Sequence, residues 1–216
     1  MLSAIFFDLD GTLVNTDPLH FQIWREMLRD YQLEIDDVFY KNNISGRANQ
    51  LIIEDILPSL SLDASEKFAE EKEARFRELA KLSQPLAGLS NILDWTNKVG
   101  LKKAVVTNAP PKNAHFMLSV LGLTDSFDTV VLATDAVAAK PDPAPYLLAL
   151  QRLGLNPEEV VTFEDSPSGI RSSVAAGIPT IGIASTHAPS HLLSFGAVAV
   201  FPDFTDEELR VWIGSY

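Results

Sequence analysis

Two carboxylates one residue apart, Asp8 and Asp10, close a short apolar run in Ala4-Ile5-Phe6-Phe7-Asp8-Leu9-Asp10-Gly11-Thr12-Leu13-Val14. Such a run predicts a strand buried on both faces. Acids at its tip add nothing to that burial. An ionised carboxylate is costly to bury, and two close together repel unless a cation lies between them. A hard divalent ion with oxygen ligands relieves the repulsion, and Mg2+ is the usual one. Gly11 lets the chain turn where a side chain would clash. The plainer alternative is a strand end whose acids are solvated at an Asp-Gly turn.

Three later stretches carry matching polar groups. Thr107-Asn108 follows the apolar run ending at Val106, and Glu164-Asp165-Ser166 follows Val160 to Phe163. Lys140 lies in Ala139-Lys140-Pro141-Asp142-Pro143. Each alone has an ordinary reading: a turn before Pro110, a helix cap, a solvated loop charge. Together they supply carboxylates, a hydroxyl and a lysine, the complement of a metal ion and an anion.

The elements that must position these groups follow from periodicity. Asp17 can cap a helix, and Pro18 suits its first turn. Leu19, Ile23, Trp24, Met27, Leu28 and Tyr31 give it an apolar stripe. A second helix is expected near Gln50 to Leu57, stopped by Pro58, and a third from Ser65 to Leu82 with Phe68, Phe76, Leu79 and Leu82 inward. No β-rich run separates Asn15 from Gln84, so residues 15–84 read as a small all-helical insertion after the first strand. From Pro85 strands alternate with helices: strands at Lys103 to Thr107, Thr129 to Leu132, Val160 to Phe163, Pro179 to Ile183 and Ala197 to Phe201; helices at Leu89 to Val99, Asn113 to Leu121, Ala144 to Leu153, Ser168 to Ala176 and Thr205 to Ile213. This predicts an α/β fold, a parallel sheet formed by residues 1–14 and 85–216 with helices on both faces. Ligands of such sheets bind beyond the carboxyl ends of the strands, where all the polar groups above would fall.

The net charge of −12 lacks the basic footprint of nonspecific nucleic-acid binding. With no cysteine there is no disulfide framework and no thiol chemistry. No stretch reads as a signal peptide or membrane span, so a cytoplasmic protein is expected.

The ordered set Asp8-Leu9-Asp10-Gly11-Thr12, Thr107-Asn108, Lys140-Pro141 and Glu164-Asp165-Ser166 with Gly169 resembles the haloacid dehalogenase superfamily, in its phosphatase branch. The likeness spans essentially the whole chain. It implies a Rossmann-like core with a helical cap of the first type. It further implies Asp8 as nucleophile, Asp10 as acid and base, and Thr107 and Asn108 as phosphate ligands. Lys140 would supply positive charge, and Mg2+ would be held by Asp8, Asp10, Asp165 and Glu164. The implied ligand is a small phosphorylated metabolite, with no nucleic-acid or membrane partner and a monomeric protein.

Specificity would then lie in the cap, with His20, Gly46, Arg47 and Lys72 as candidate substrate ligands. Lys72 sits in a run of charges and reads first as a solvated surface residue. His20 reads equally as a satisfied buried histidine. The cap is similar to that of the β-phosphoglucomutase-like subfamily, but Gly46-Arg47 and Val106-Thr107-Asn108-Ala109-Pro110 resemble its sugar-phosphate phosphatases. Sugar phosphates are therefore the expected substrates. A phosphomutase and a phosphoglycolate phosphatase are the alternatives.

Overall fold

The computed structural model describes residues 1–214 and divides the chain into two compact units, Met1–Asn15 with Gln84–Tyr216, and Thr16–Ser83. Ser215 and Tyr216, the end of the expected core range, lie outside the described residues.

The first unit is built on six strands: β1 (Ala4–Phe7), β2 (Lys102–Val106), β3 (Thr129–Val131), β4 (Val160–Glu164), β5 (Thr180–Ile183) and β6 (Ala199–Phe201). They form one sheet in the order β3-β2-β1-β4-β5-β6, every pairing parallel. All four β1 side chains are buried, as a central strand covered on both sides requires. The two-residue period sends Ala4 and Phe6 to one face. There they join Ala104, Val106 and Val131 under Tyr146, Ala149 and Leu150 of a helix at Ala144–Leu153. Phe7 turns to the other face, within 5.4 Å of the Phe163 ring and 6.3 Å of the Phe204 ring, centroid to centroid. Helices Leu89–Val99, Pro111–Val120, Pro167–Ala175, Pro189–Ser194 and Glu207–Gly214 complete this unit.

Register decides which side chains share an edge. Phe7 pairs with Val105 on one side and Phe163 on the other. The next residues, Asp8, Val106 and Glu164, therefore stand level at the carboxyl ends of the three central strands.

The second unit is wholly helical: Asp17–Arg29, Asp37–Asn43, Asn49–Ile56, Leu62–Leu79 and a short 3-10 turn at Ala80–Leu82. Trp24 stacks near Phe68, centroids 5.6 Å apart, and Ile52, Ile53 and Phe76 are buried with them. Four sequence expectations fail here. Leu79 and Leu82 do not face inward but are 44% and 87% exposed. Leu79 closes the last turn of the α-helix, and Leu82 falls in the 3-10 turn that follows, whose tighter winding breaks the 3.6-residue stripe. Tyr31 lies beyond the end of the first helix and is exposed. Asp17 makes no cap; its Oδ1 instead accepts from Tyr40 Oη at 2.7 Å and Ser45 Oγ at 3.1 Å. Lys72 is buried, not solvated.

Candidate active site

The turn after β1 is tight. Gly11 N donates to Val14 O at 2.7 Å, and Gly11 has φ +92. A Cβ there would lie 2.1 Å from Asp165 Oδ2, so glycine is needed both for the backbone and for the neighbour. Asp8, Glu164 and Asp165, all buried, bring one ligand atom each to within 4.8 Å of one another. Three carboxylates that close are hard oxygen donors suited to a divalent cation. Asp10 lies two residues on, half-buried at the same turn.

Lys140 binds this cluster together. Its Nζ donates to Asp8 Oδ1 at 2.7 Å, Val106 O at 2.7 Å and Glu164 Oε1 at 2.5 Å, which uses all three of its protons. The loop carrying it is clamped to Asn108 by two bonds: Lys140 N to Asn108 Oδ1 at 3.0 Å, and Asn108 Nδ2 to Lys140 O at 3.1 Å. Thr107 is buried at the end of β2, where its Oγ1 accepts from Ala109 N at 3.0 Å. Thus Asp8, Thr107, Asn108, Lys140, Glu164 and Asp165 meet at one edge of the sheet.

Tyr146 is an added member that sequence reading missed. Its Oη donates to Glu164 Oε1 at 2.8 Å, and its ring lies 5.1 Å from Lys140 Nζ. In sequence it is one apolar position of a helix, and nothing marks its hydroxyl as different. Glu164 is fully buried, and a Cβ on Gly169 would lie 1.8 Å from its Oε1.

Burial sets the charge states. It raises the Asp8 carboxyl to about 8, against the opposing pull of Lys140 and with a further push from Glu164. Burial also works against a charged Lys140, but Asp8 and Glu164 outweigh it, and the ammonium is held above its usual range. The Tyr146 phenol is raised well above its ordinary value by burial and then by Glu164, so it remains a donor.

In the helical unit, His20 and Lys72 meet: Lys72 Nζ lies 2.9 Å from His20 Nδ1 and 2.8 Å from Glu73 Oε1. Asn49 Nδ2 donates to the same Glu73 oxygen. Burial, then the Lys72 charge, lowers the His20 pKa well below its usual value. The ring is therefore neutral, stacked on Phe76 at 4.3 Å, with Nδ1 accepting from Lys72 and the proton on Nε2. Arg47 is engaged elsewhere, through Nη2 to Asp55 Oδ2 at 2.5 Å and Nη1 to Asn43 O at 2.8 Å, while Gly46 turns with φ +73.

Residues 5–183 match the family described as haloacid dehalogenase-like hydrolase. A phosphorylated carbohydrates phosphatase of Thermotoga maritima is 34% identical over 206 residues, 92% of this chain and 94% of the relative. Fructose-1-phosphate phosphatase YqaB of Escherichia coli is 33% identical over 184 residues, 84% of this chain and 96% of the relative. Among solved structures, a haloacid dehalogenase family IA, variant 3 hydrolase from Entamoeba histolytica superposes with TM-score 0.88 at 29% identity, covering 100% of both chains.

Proposed function

The chain belongs to the haloacid dehalogenase-like hydrolases, and from that premise we propose that it is a phosphatase of small phosphorylated sugars. The observation that carries this reading is the buried Asp8, held by Lys140 at the carboxyl edge of the sheet beside Glu164 and Asp165.

In this reading an Asp8 carboxylate oxygen attacks phosphorus. The bond from phosphorus to the ester oxygen breaks, leaving an aspartyl-phosphate and splitting one difficult hydrolysis into two easier steps. Asp10 gives its proton to the departing sugar oxygen, then removes one from the water that attacks the aspartyl-phosphate. Phosphate leaves and Asp8 is restored. Lys140 fixes the Asp8 rotamer and lends positive charge, while Thr107 and the Asn108 N–H hold phosphate oxygens. The carboxylates of Asp8, Glu164 and Asp165 fit Mg2+, which they and the Asp10 carbonyl would hold, with Gly11 leaving room for the Asp165 carboxylate. When bound, that ion supplies positive charge that favours an ionised Asp8 and offsets its repulsion from the phosphate.

The helical unit Thr16–Ser83 is read as the cap that selects the substrate, with His20, Lys72, Gly46 and Arg47 as its ligands. Among the described residues no helix is long and apolar enough to cross a membrane. The reading has the protein working in the cytoplasm as a monomer.

The test is phosphate release from a panel of phosphorylated metabolites, with Mg2+ and with EDTA. Metal-dependent release from several sugar phosphates, with phosphoglycolate poor, supports the reading. No release, but conversion of a sugar 1-phosphate to its 6-phosphate when bisphosphate is added, makes the protein a mutase.

A further inference from the structure

Thr186 lies just past β5, in a loop to which the sequence assigns no role. Its Oγ1 hydrogen-bonds Asp165 Oδ2 and lies 3.2 Å from the Asp165 backbone oxygen; His187 Nδ1 lies 2.8 Å from the same hydroxyl. A hydroxyl has one proton to give. Both Asp165 oxygens can only accept, and a carboxylate is the stronger acceptor. The proton therefore goes to Oδ2, and the hydroxyl oxygen accepts in turn from His187 Nδ1.

The Asp165 oxygen that accepts this bond is also the one nearest the bare Cα side of Gly11, where a Cβ would approach to 2.1 Å. The loop is fastened to the same turn by the residue before Thr186: Ser185 Oγ donates to Gly11 O, and Asn15 Nδ2 donates to Ser185 O at 3.3 Å. Asp165 is only 3% exposed, so water does not easily replace a lost donor.

We propose that Thr186 is a positioning residue for Asp165, its hydroxyl fixing the rotation of a carboxylate that holds a divalent cation with Asp8 and Glu164. The inference rests on the metal-dependent reading above. Partners of this kind fix the orientation of a metal ligand, and their loss typically weakens binding on the order of tenfold or more.

The experiment is a calorimetric titration of the full chain with Mn2+, without substrate, for the wild type, Thr186→Val and Thr186→Ser. Melting temperatures of the metal-free proteins are taken alongside. Valine keeps the shape and removes the hydroxyl; serine keeps the hydroxyl. Thr186→Val is expected to weaken Mn2+ binding on the order of tenfold, and Thr186→Ser to restore it. Equal affinity in the wild type and Thr186→Val overturns the inference, even if the valine variant melts lower. Equal weakening in both variants also overturns it. A wild type that binds no Mn2+ overturns the metal reading and this inference with it.

Discussion

Gly169→Ala sets two physical effects against each other. Gly169 lies within the helix Pro167–Ala175. Helix propensity alone favours alanine by about 0.5–1 kcal/mol. The new Cβ, however, would sit 1.8 Å from Glu164 Oε1, 1.9 Å from its carboxyl carbon and 2.0 Å from Oε2. At the end of an exposed side chain a carboxylate would swing aside at little cost. Glu164 cannot, because it is fully buried and its Oε1 accepts from Lys140 Nζ at 2.5 Å and Tyr146 Oη at 2.8 Å. Disrupting two bonds to a buried charge costs about 1.5–3 kcal/mol each, or about 3–6 kcal/mol together. Less the propensity gain, the expected net destabilisation is about 2–5 kcal/mol. Urea unfolding of both proteins, read at matched slopes, measures it. An alanine variant as stable as the wild type would show that Glu164 is not held where Gly169 needs it, and the packing argument would be refuted.

Asp8→Asn is expected to abolish metal-dependent phosphate release with an unchanged circular dichroism spectrum; retained turnover rules out Asp8 as nucleophile. Arg47→Ala removes an ion pair whose partners are 35% and 63% exposed, so it costs under about 1 kcal/mol by unfolding. It should raise the Michaelis constant for sugar phosphates more than for p-nitrophenyl phosphate, and an equal change for both assigns Arg47 to structure alone. His20 has its pKa depressed in the folded protein, so the unfolded chain binds more protons below its ordinary value near 6.5. Its contribution is fully present above that pH and is lost as pH falls further. The stability difference between wild type and His20→Gln should therefore shrink as pH falls from 7 to 5.5, by no more than about 1.36 kcal/mol per pH unit. A difference constant across that range would mean that the imidazole is not buried neutral.

The sequence by itself carried the sheet and the main polar groups, because both follow from local signals. Apolar runs alternating with helices announce parallel strands, and the acids at the tips of such runs, taken together with a lysine and a hydroxyl, form the complement of a metal ion and an anion. Register sets Asp8 level with Glu164, with Asp165 next to it, and Lys140 reaches them from a loop through its bonds to Asp8 and Glu164. The tertiary structure alone decided the partners. Tyr146 looks like any core aromatic until its hydroxyl is found on Glu164. Thr186 stands 21 residues from Asp165 along the chain, and no spacing signals a bond between them. Lys72 reads as surface because charge runs usually are, and it is buried where His20 from another helix and Glu73 beside it on its own helix satisfy its ammonium. Periodicity reports which face of one element is apolar. It does not report which polar atom on a distant element will satisfy a buried one, and that pairing is set only when the elements pack.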